Sequence, residues 1–459
     1  MRFRMPIFPP NSKVELKQLL HLAWPMLLAQ SSQTAMSLSD TLMASWAGAE
    51  ELAAIALGSS IWTPLSLSLA GAMMALTPIV AHHVGGQREE ETASELFNNL
   101  LITIAIGLLS WLFINGASDW ILTLLSVEPA LKSTANDYLF AISWGIPGML
   151  LYQSIRAFAE GHGQTKIVMK IGISAVLLNL PLNYILIFGK LGMPEMGGVG
   201  CGWATTIVFW YMFIAGTVYL IYSRYFKPLN IFKQSLNPDS KKIKHQLSIG
   251  IPIAASLGVE TTMFCLIALF LADYGATVIS AHQITLSISS LIFMMPLSLC
   301  LAVTIRVGQL NGAGRFADAQ KVGFLGLRIA VLIACFSSTV LFILSEGIAS
   351  LFSQDAELIA IASTLLSYAA LYQFSDALQL TANGALRGYK DTRVPLLIAF
   401  SAYWILGLPS GYVIAEYIGM GAVGYWLGIL IGLSFAAVLL IKRLYKLSNE
   451  ALVIPPNFG

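Results

Sequence analysis

Charge is scarce in this sequence. Of 459 residues only 11% are Asp, Glu, Lys or Arg, while 56% are hydrophobic. A soluble domain carries about a quarter charged residues, so the deficit excludes a soluble globular protein and points to a polytopic membrane protein. The balance of 26 basic against 24 acidic residues leaves no basic footprint for a nucleic acid. Cysteine is scarce too. Cys201, Cys265, Cys300 and Cys335 lie in apolar stretches without CxxC or metal-like spacing, which fits small buried hydrophobes and argues against a disulfide or a metal–thiolate site. There is no GxSxG, no HExxH and no pair of in-span aspartates in a protease-like context. A membrane-embedded hydrolase would therefore lack its working residues. The first 20 residues are mixed and charged, without the apolar core and cleavage site of a signal peptide. The first apolar stretch is thus expected to be a retained helix behind a short amphipathic approach.

What is present is a series of apolar stretches. Twelve reach the roughly 20 residues that a spanning helix needs, centred near residues 32, 66, 108, 147, 178, 210, 258, 291, 334, 371, 405 and 431. Backbone groups in lipid must be paired internally, so these segments are helices. They do not alternate, which excludes a transmembrane barrel. With the N-terminus inside, 22 of the Lys and Arg residues fall in inner segments, including Arg2, Arg4 and Lys233, and only Lys132 and Lys190 in outer loops. The positive-inside rule then puts both termini in the cytoplasm. Arg156 and Arg328 fall within spans, and neither is expected in a helix with a carboxylate.

The chain also repeats itself at a separation of 227 residues. Pro25 matches Pro252, and ALTPIVAHHVGGQRE (75–89) matches AVTIRVGQLNGAGRF (302–316), aligning Thr77 with Thr304 and Arg88 with Arg315. SVEPALKS (126–133) falls on SQDAELIA (353–360), and EGHGQTK (160–166) on RGYKDTR (387–393). After a one-residue shift LPLNY (180–184) meets LPSGY (408–412). Each half therefore holds six spans, an even number, so the halves have parallel topology and a pseudo-twofold axis along the membrane normal. The expected fold is an all-α integral membrane protein of two six-helix bundles, residues 1–222 and 246–459, joined by a cytoplasmic linker at 223–245. Such an arrangement suits alternating access and favours a carrier over a channel or an enzyme.

Several stretches resemble one family. PMLLAQSSQTAMSLSDTLMA (25–44), LAAIALGSSIW (52–62), LNLPLNYILIFGKLGMPEMGGVGCGWAT (178–205), AHQITLSISSL (281–291), MPLSLCLAVTIRVG (295–308) and ALRGYKDTRVP (385–395) are similar to the multidrug and toxic compound extrusion (MATE) transporters, in particular their NorM-like branch. The likeness runs over nearly the whole chain, and GMPEMGGVGCGWAT is specific. It implies efflux of bulky, often cationic, lipophilic compounds such as dyes and fluoroquinolone-like drugs, in exchange for inward Na+ or H+. It further implies a bacterial cytoplasmic membrane and no organic cofactor. A monomer is the simplest reading, since one chain holds both halves of the pathway. An alternative on a similar fold is export of a lipid-linked or other endogenous metabolite, but a cavity for phosphates should be strongly cationic, and the in-span ions here are mainly acidic.

Three acidic residues sit well inside spans: Asp40, Glu260 and Asp376. An ionisable group at such depth faces the bundle interior or a water-filled cavity and marks function by default. A desolvated carboxylate either holds a proton near neutral pH or uses a cation to offset its charge. The resemblance assigns Glu260 and Asp376 to binding of the coupling cation, with Na+ a candidate occupant, and Asp40 to coupling or drug release in the N-terminal half. The repeat aligns Glu260 with Gln33, so the shared fold does not require the charge.

Two departures from the family pattern thin out a Na+ site. Phe293 stands where some relatives have a tyrosine, offering a ring face but no hydroxyl, and the acidic pair before span ten is reduced to Gln354 and Asp355. Na+ and H+ both remain open. Asn179 and Asn183, four apart with Pro181 between them, share a helical face that the resemblance joins to Asp40; interhelical bonding is the plainer alternative. Gln283, Tyr372 and Gln379 are candidate cavity-lining groups, the last two on one face with Asp376. Met294 is another candidate, as flexible thioethers suit a surface that accepts many shapes. His282 is a candidate proton-responsive group, although a lone histidine is more often a packing residue.

Overall fold

The lipid-facing stretches fold as helices, as internal backbone pairing demands. The computed structural model describes residues 12–124, 129–229, 231 and 237–453. Arg2, Arg4, Lys233, the first part of the 126–133 repeat stretch and part of the 223–245 linker lie outside the described residues. Among the described residues there are helices and no strand. Span one is α1 (Ser12–Ala47). Span two is α2 (Ala49–Met73) with α3 (Leu76–Gly85), and span three is α4 (Glu89–Leu124). Span four is α5 (Pro129–Ser143) with α6 (Ile146–Gly161); spans five and six are α7 (Thr165–Ile187) and α8 (Gly198–Tyr222). In the second half, α9 (Ser240–Leu271), α10 (Ala276–Gly312), α11 (Phe316–Ser350) and α12 (Ala356–Gly388) are spans seven to ten. Span eleven runs from α13 (Arg393–Phe400) through α14 (Leu408–Tyr412), with π-helical turns at Ser401–Gly407 and Val413–Tyr417, and span twelve is α15 (Ala422–Val453).

By length and composition, 10 of these spans qualify as membrane-crossing helices among the described residues. The other two differ for physical reasons. The 36 residues of α1 include Lys13, Glu15, Lys17 and Asp40 and a run of Gln, Ser and Thr. Span four is broken at Trp144–Gly145 into helices of 15 and 16 residues, each too short to cross alone.

The chain packs as two compact units, Leu28–Gly258 in one and Val259–Gly459 with the segment ending at Leu27 in the other. Each boundary falls inside a long helix, α1 or α9. In the first unit α5, α6 and α8 carry the core, and Tyr138 fills the space left by Gly58, where a Cβ would meet its ring at 2.5 Å. In the second unit α12 is packed against α10, α11 and α15. There α15 approaches span eleven through Gly424, Gly428 and Gly432, and a Cβ on Gly428 would lie 2.4 Å from the Gly411 Cα. This small-residue contact lets backbones meet in lipid, where no hydrophobic force drives helices together. Within its own unit, the start of α1 is held by Glu15, which accepts two bonds from Arg306 at 2.7 and 2.8 Å. The start of α9 is held by Lys242, 3.9 Å from Glu95, and by Gln246, which donates to Glu95 at 2.7 Å. Glu15 and Lys242 are repeat equivalents of opposite charge.

The repeat is written in the backbone as well. After α3 the Arg88 N–H reaches back to the His83 carbonyl at 2.9 Å, and after α10 the Arg315 N–H reaches Leu310 at 2.9 Å. After α6 and α12 the same closure joins Gln164 to Ala159 at 2.9 Å and Asp391 to Leu386 at 3.0 Å. These six-to-one bonds need a left-handed residue just past the helix. Gln87 (φ 57°) and Gly314 (φ 70°) supply it in the first pair, and Gly163 (φ 74°) and Lys390 (φ 59°) in the second. A non-glycine residue in that conformation costs about 1 kcal/mol. Gln87→Gly should therefore raise the thermal midpoint of the purified protein and Gly314→Ala should lower it, each by about 1 kcal/mol; an unchanged midpoint in Gly314→Ala would contradict the strain assigned here.

Candidate functional site

Asp40 lies on α1 and is met by α7 and α8. Asn179 and Asn183, both 0% exposed, project from one face of α7. Their amides donate to Asp40 Oδ1 at 3.1 and 2.6 Å, and Asn183 Nδ2 also donates to Asn179 Oδ1 at 3.0 Å. From α8, Thr205 donates to Asp40 Oδ2 at 2.9 Å, and the Cys201 thiol points at the Asp40 backbone carbonyl at 3.5 Å. The carboxylate is thus held by neutral donors. An ionised carboxylate only accepts, whereas its protonated form must also donate. Protonation at Oδ2 would let the Thr205 hydroxyl turn from donor to acceptor while both amides stay on Oδ1, so the cluster can take up a proton by rearranging one bond. Pro181 is exposed on the other side of α7 and is not brought to Asp40. Thr205 and Cys201 belong to the site although no sequence signal singled them out; their four-residue spacing on α8 is the trace they leave.

The second cluster belongs to the other unit. Asp376, 4% exposed, shares a buried face of α12 with Tyr372 and Gln379. Glu260, half-buried on α9, acts electrostatically on Asp376, and both carboxylates act on Tyr372 and Tyr403. Tyr403 comes from the first π-helical turn of span eleven and donates to Gln379 Oε1 at 2.8 Å. Such turns re-aim side chains and recur at functional sites. The Trp404 indole donates to the Val259 carbonyl at 3.2 Å, next to Glu260. The cation acting on Glu260 is Arg387, buried in the last turn of α12. It was assigned to an inner segment by sequence and not recognised as part of this cluster.

The remaining candidates are more scattered. Phe293 and Met294 are half-buried on α10, and Gln33 is half-buried on α1. Gln283 is exposed. Asp355 caps α12 by accepting the Glu357 N–H at 2.9 Å, about 30 Å along the helix from Asp376 at 1.5 Å per residue. His282 is 1% exposed and lies edge-on to Trp426, whose ring stacks on Tyr372. Among the described residues no group of three or more His, Cys, Asp or Glu is placed to hold a metal ion.

One expectation is corrected for both in-span arginines: Arg328 shares α11 with Asp318 and Glu346. Arg156 does share a helix with a carboxylate, because α6 continues to Glu160, which accepts from Arg156 Nε at 2.7 Å. Arg156 Nη2 also donates to Gln30 Oε1. A span of about 20 residues centred near 147 ends short of Glu160, but α6 runs to Gly161 and carries Glu160 one helical turn beyond Arg156.

Thr205→Val should destabilise the protein by about 1.5–3 kcal/mol, since it removes a bond to a charged acceptor. The thermal midpoint of the purified variant measures this, and a midpoint equal to that of the parent would contradict an ionised, donor-dependent Asp40.

Comparison with known proteins agrees with this architecture. The MatE family model matches twice, over residues 25–185 and 252–413. The two matches begin 227 residues apart and end 228 apart, the offset and one-residue shift read from the repeat. The multidrug resistance protein MdtK of Yersinia pestis (strain Pestoides F) is 40% identical over 441 residues, covering 95% of this chain and 96% of its own. A crystal structure of MATE in complex with MaD3S superposes with a TM-score of 0.88 at 18% identity, covering 96% and 97% of the two chains. The eukaryotic MATE transporter AtDTX14 gives 0.83 at 21% identity, covering 96% and 98%. Two copies of one family signature on an all-helical membrane fold, with a relative 40% identical over 95% of the chain, place the chain in the MatE family of multidrug and toxic compound extrusion (MATE) transporters.

Proposed function

We propose that this transporter is a multidrug efflux antiporter that expels bulky, cationic, lipophilic compounds, such as dyes and fluoroquinolone-like drugs, in exchange for inward Na+ or H+. It works by alternating access between its six-span halves, 1–222 and 246–459, in a bacterial cytoplasmic membrane with both termini inside. The observation that carries the reading is the pair Glu260 and Asp376, set in spanning helices, where Glu260 acts on Asp376 and, among the described residues, Arg387 is the cation that acts on Glu260. Two carboxylates against one guanidinium leave a negative charge that is costly to desolvate. A proton on one carboxyl or a Na+ beside both relieves it. Loading by the coupling cation and loading by a cationic drug then disfavour each other, the reciprocal coupling that exchange requires. The 40% identical relative named for multidrug resistance supports this substrate class.

Asp40 forms a separate, neutral-donor pocket in the first half, where a proton rearranges hydrogen bonds rather than cancelling a repulsion. Its proposed part is drug release or a second coupling step. The basic residues support the orientation. A cysteine at Lys190 should be labelled by an impermeant maleimide in intact cells, and one at Lys241 only after permeabilisation; the opposite pattern would reverse the topology.

Cells expressing the protein should resist ethidium and norfloxacin. Glu260→Gln and Asp376→Asn should each abolish that resistance while membrane levels of the protein hold. Full resistance in Glu260→Gln cells would sink the coupling role.

A further inference from the structure

His282 is an anomaly in the second unit. It is 1% exposed, and neither Nδ1 nor Nε2 has a hydrogen-bond partner. Burying unpaired polar groups costs free energy, and native interiors rarely tolerate it without a reason. The neighbouring orphans form a pattern. Trp426 Nε1, buried against the same imidazole at a ring separation of 5.6 Å, is also unpartnered. Ser289 Oγ, seven residues along α10 and so on the His282 face, is buried and meets the Tyr372 hydroxyl. The Trp426 ring stacks on Tyr372 at 5.9 Å, and Tyr372 lies one turn from Asp376 on α12. Together these groups trace a buried polar column through α10, α15 and α12. One end lies in the first two turns of α10 and α15, and the other at the Glu260–Asp376 pair.

We propose that His282 is a proton-relay residue, and that this column is the route by which the coupling proton reaches Asp376 from the extracellular face. The inference rests on the coupling role and orientation proposed above, under which α10 and α15 both begin outside. The column's chemistry favours a proton over Na+. It offers an imidazole, an indole N–H and two hydroxyls, where a hard alkali cation wants a shell of oxygens. Imidazole takes a proton on one nitrogen as it gives up another from the second, so it can pass a proton on without holding the charge. The proton ends as the O–H of the Asp376 carboxyl, so no other bond changes and no co-reactant is needed. Unpartnered donors and acceptors along the way are groups that a short file of water molecules can join.

The titratable and charged groups on the surrounding elements include Glu357, Tyr368, Tyr372, Asp376 and Arg387 on α12, Glu260 and Cys265 on α9, Arg393, Tyr403, Tyr412, Glu416 and Tyr417 on span eleven, Tyr425 and the basic and acidic residues of the last turns of α15, Asp273 and Tyr274 before α10, Cys300 and Arg306 on α10 itself, and Asp318, Lys321, Arg328, Cys335 and Glu346 on α11. Glu416 is engaged by the Tyr274 and Tyr425 hydroxyls at 2.7 and 2.9 Å. None of these groups is hydrogen-bonded to the imidazole.

The test uses full-length protein in vesicles, with ethidium efflux driven by an imposed pH gradient while the external proton supply is varied between about pH 5.5 and 7.5. His282→Gln keeps polar atoms but cannot shuttle a proton. It should slow pH-driven efflux by about 100-fold or more and remove its dependence on external pH, with ethidium affinity unchanged. A parental pH profile in His282→Gln would overturn the relay, as would drive by Na+ alone with no proton movement in the parent. Glu260→Gln, run in parallel, separates the two ideas. If its uphill efflux survives, the coupling reading fails. If it is inactive while His282→Gln keeps the parental profile, only the relay fails. Should His282→Gln not fold, Ser289→Ala takes its place: slowed proton uptake supports the column, and an unchanged rate overturns it.

Discussion

The account depends on the cost of placing carboxylates in spanning helices. Hydrocarbon gives them nothing to bond, so each must be met by protein, by a cation or by a proton. The two halves answer that demand differently. Asp40 is surrounded by amide, hydroxyl and thiol donors from α7 and α8. Glu260 acts on Asp376, and the opposing charge that meets Glu260 among the described residues comes from Arg387. The first arrangement satisfies a charge; the second leaves one to be satisfied. Only the second calls for a mobile cation, and this asymmetry is the physical ground on which coupling is proposed for the C-terminal half.

Duplication explains how such an asymmetry arises on a common frame. Helix closures recur at one offset down to their backbone bonds and left-handed residues. Side chains at equivalent positions have nevertheless diverged, often in charge. Glu160 closes an ion pair with Arg156 in the first half, and its equivalent Arg387 acts on Glu260 in the second. Glu15 and Lys242 both anchor the start of a long helix, with signs reversed. The backbone holds the fold, and side chains with little backbone role carry the difference in function.

Much of this was legible in the sequence, because its signals are long or repeated. Apolar runs located the spans, and matched stretches located the repeat. An acidic residue inside an apolar run is conspicuous, which is how Asp40, Glu260 and Asp376 were found. The partners were harder to see. Thr205 and Cys201 look like ordinary members of an apolar helix, and only the approach of α8 to α1 reveals them as donors. Arg387 reads as a cytoplasmic charge until α12 is seen to bury it. Glu160 was missed because a span of about 20 residues centred near 147 stops short of it, whereas α6 runs on to Gly161. Asp355, by contrast, carries the right chemistry, but the structure uses it to cap α12.

The most direct test of the central claim asks whether drug binding expels the coupling cation from the Glu260–Asp376 pair. Ethidium added to purified, lightly buffered protein should release H+ to a pH indicator, or Na+ to a sodium electrode. The double variant Glu260→Gln, Asp376→Asn should release neither. Equal release from the parent and the double variant would contradict the account.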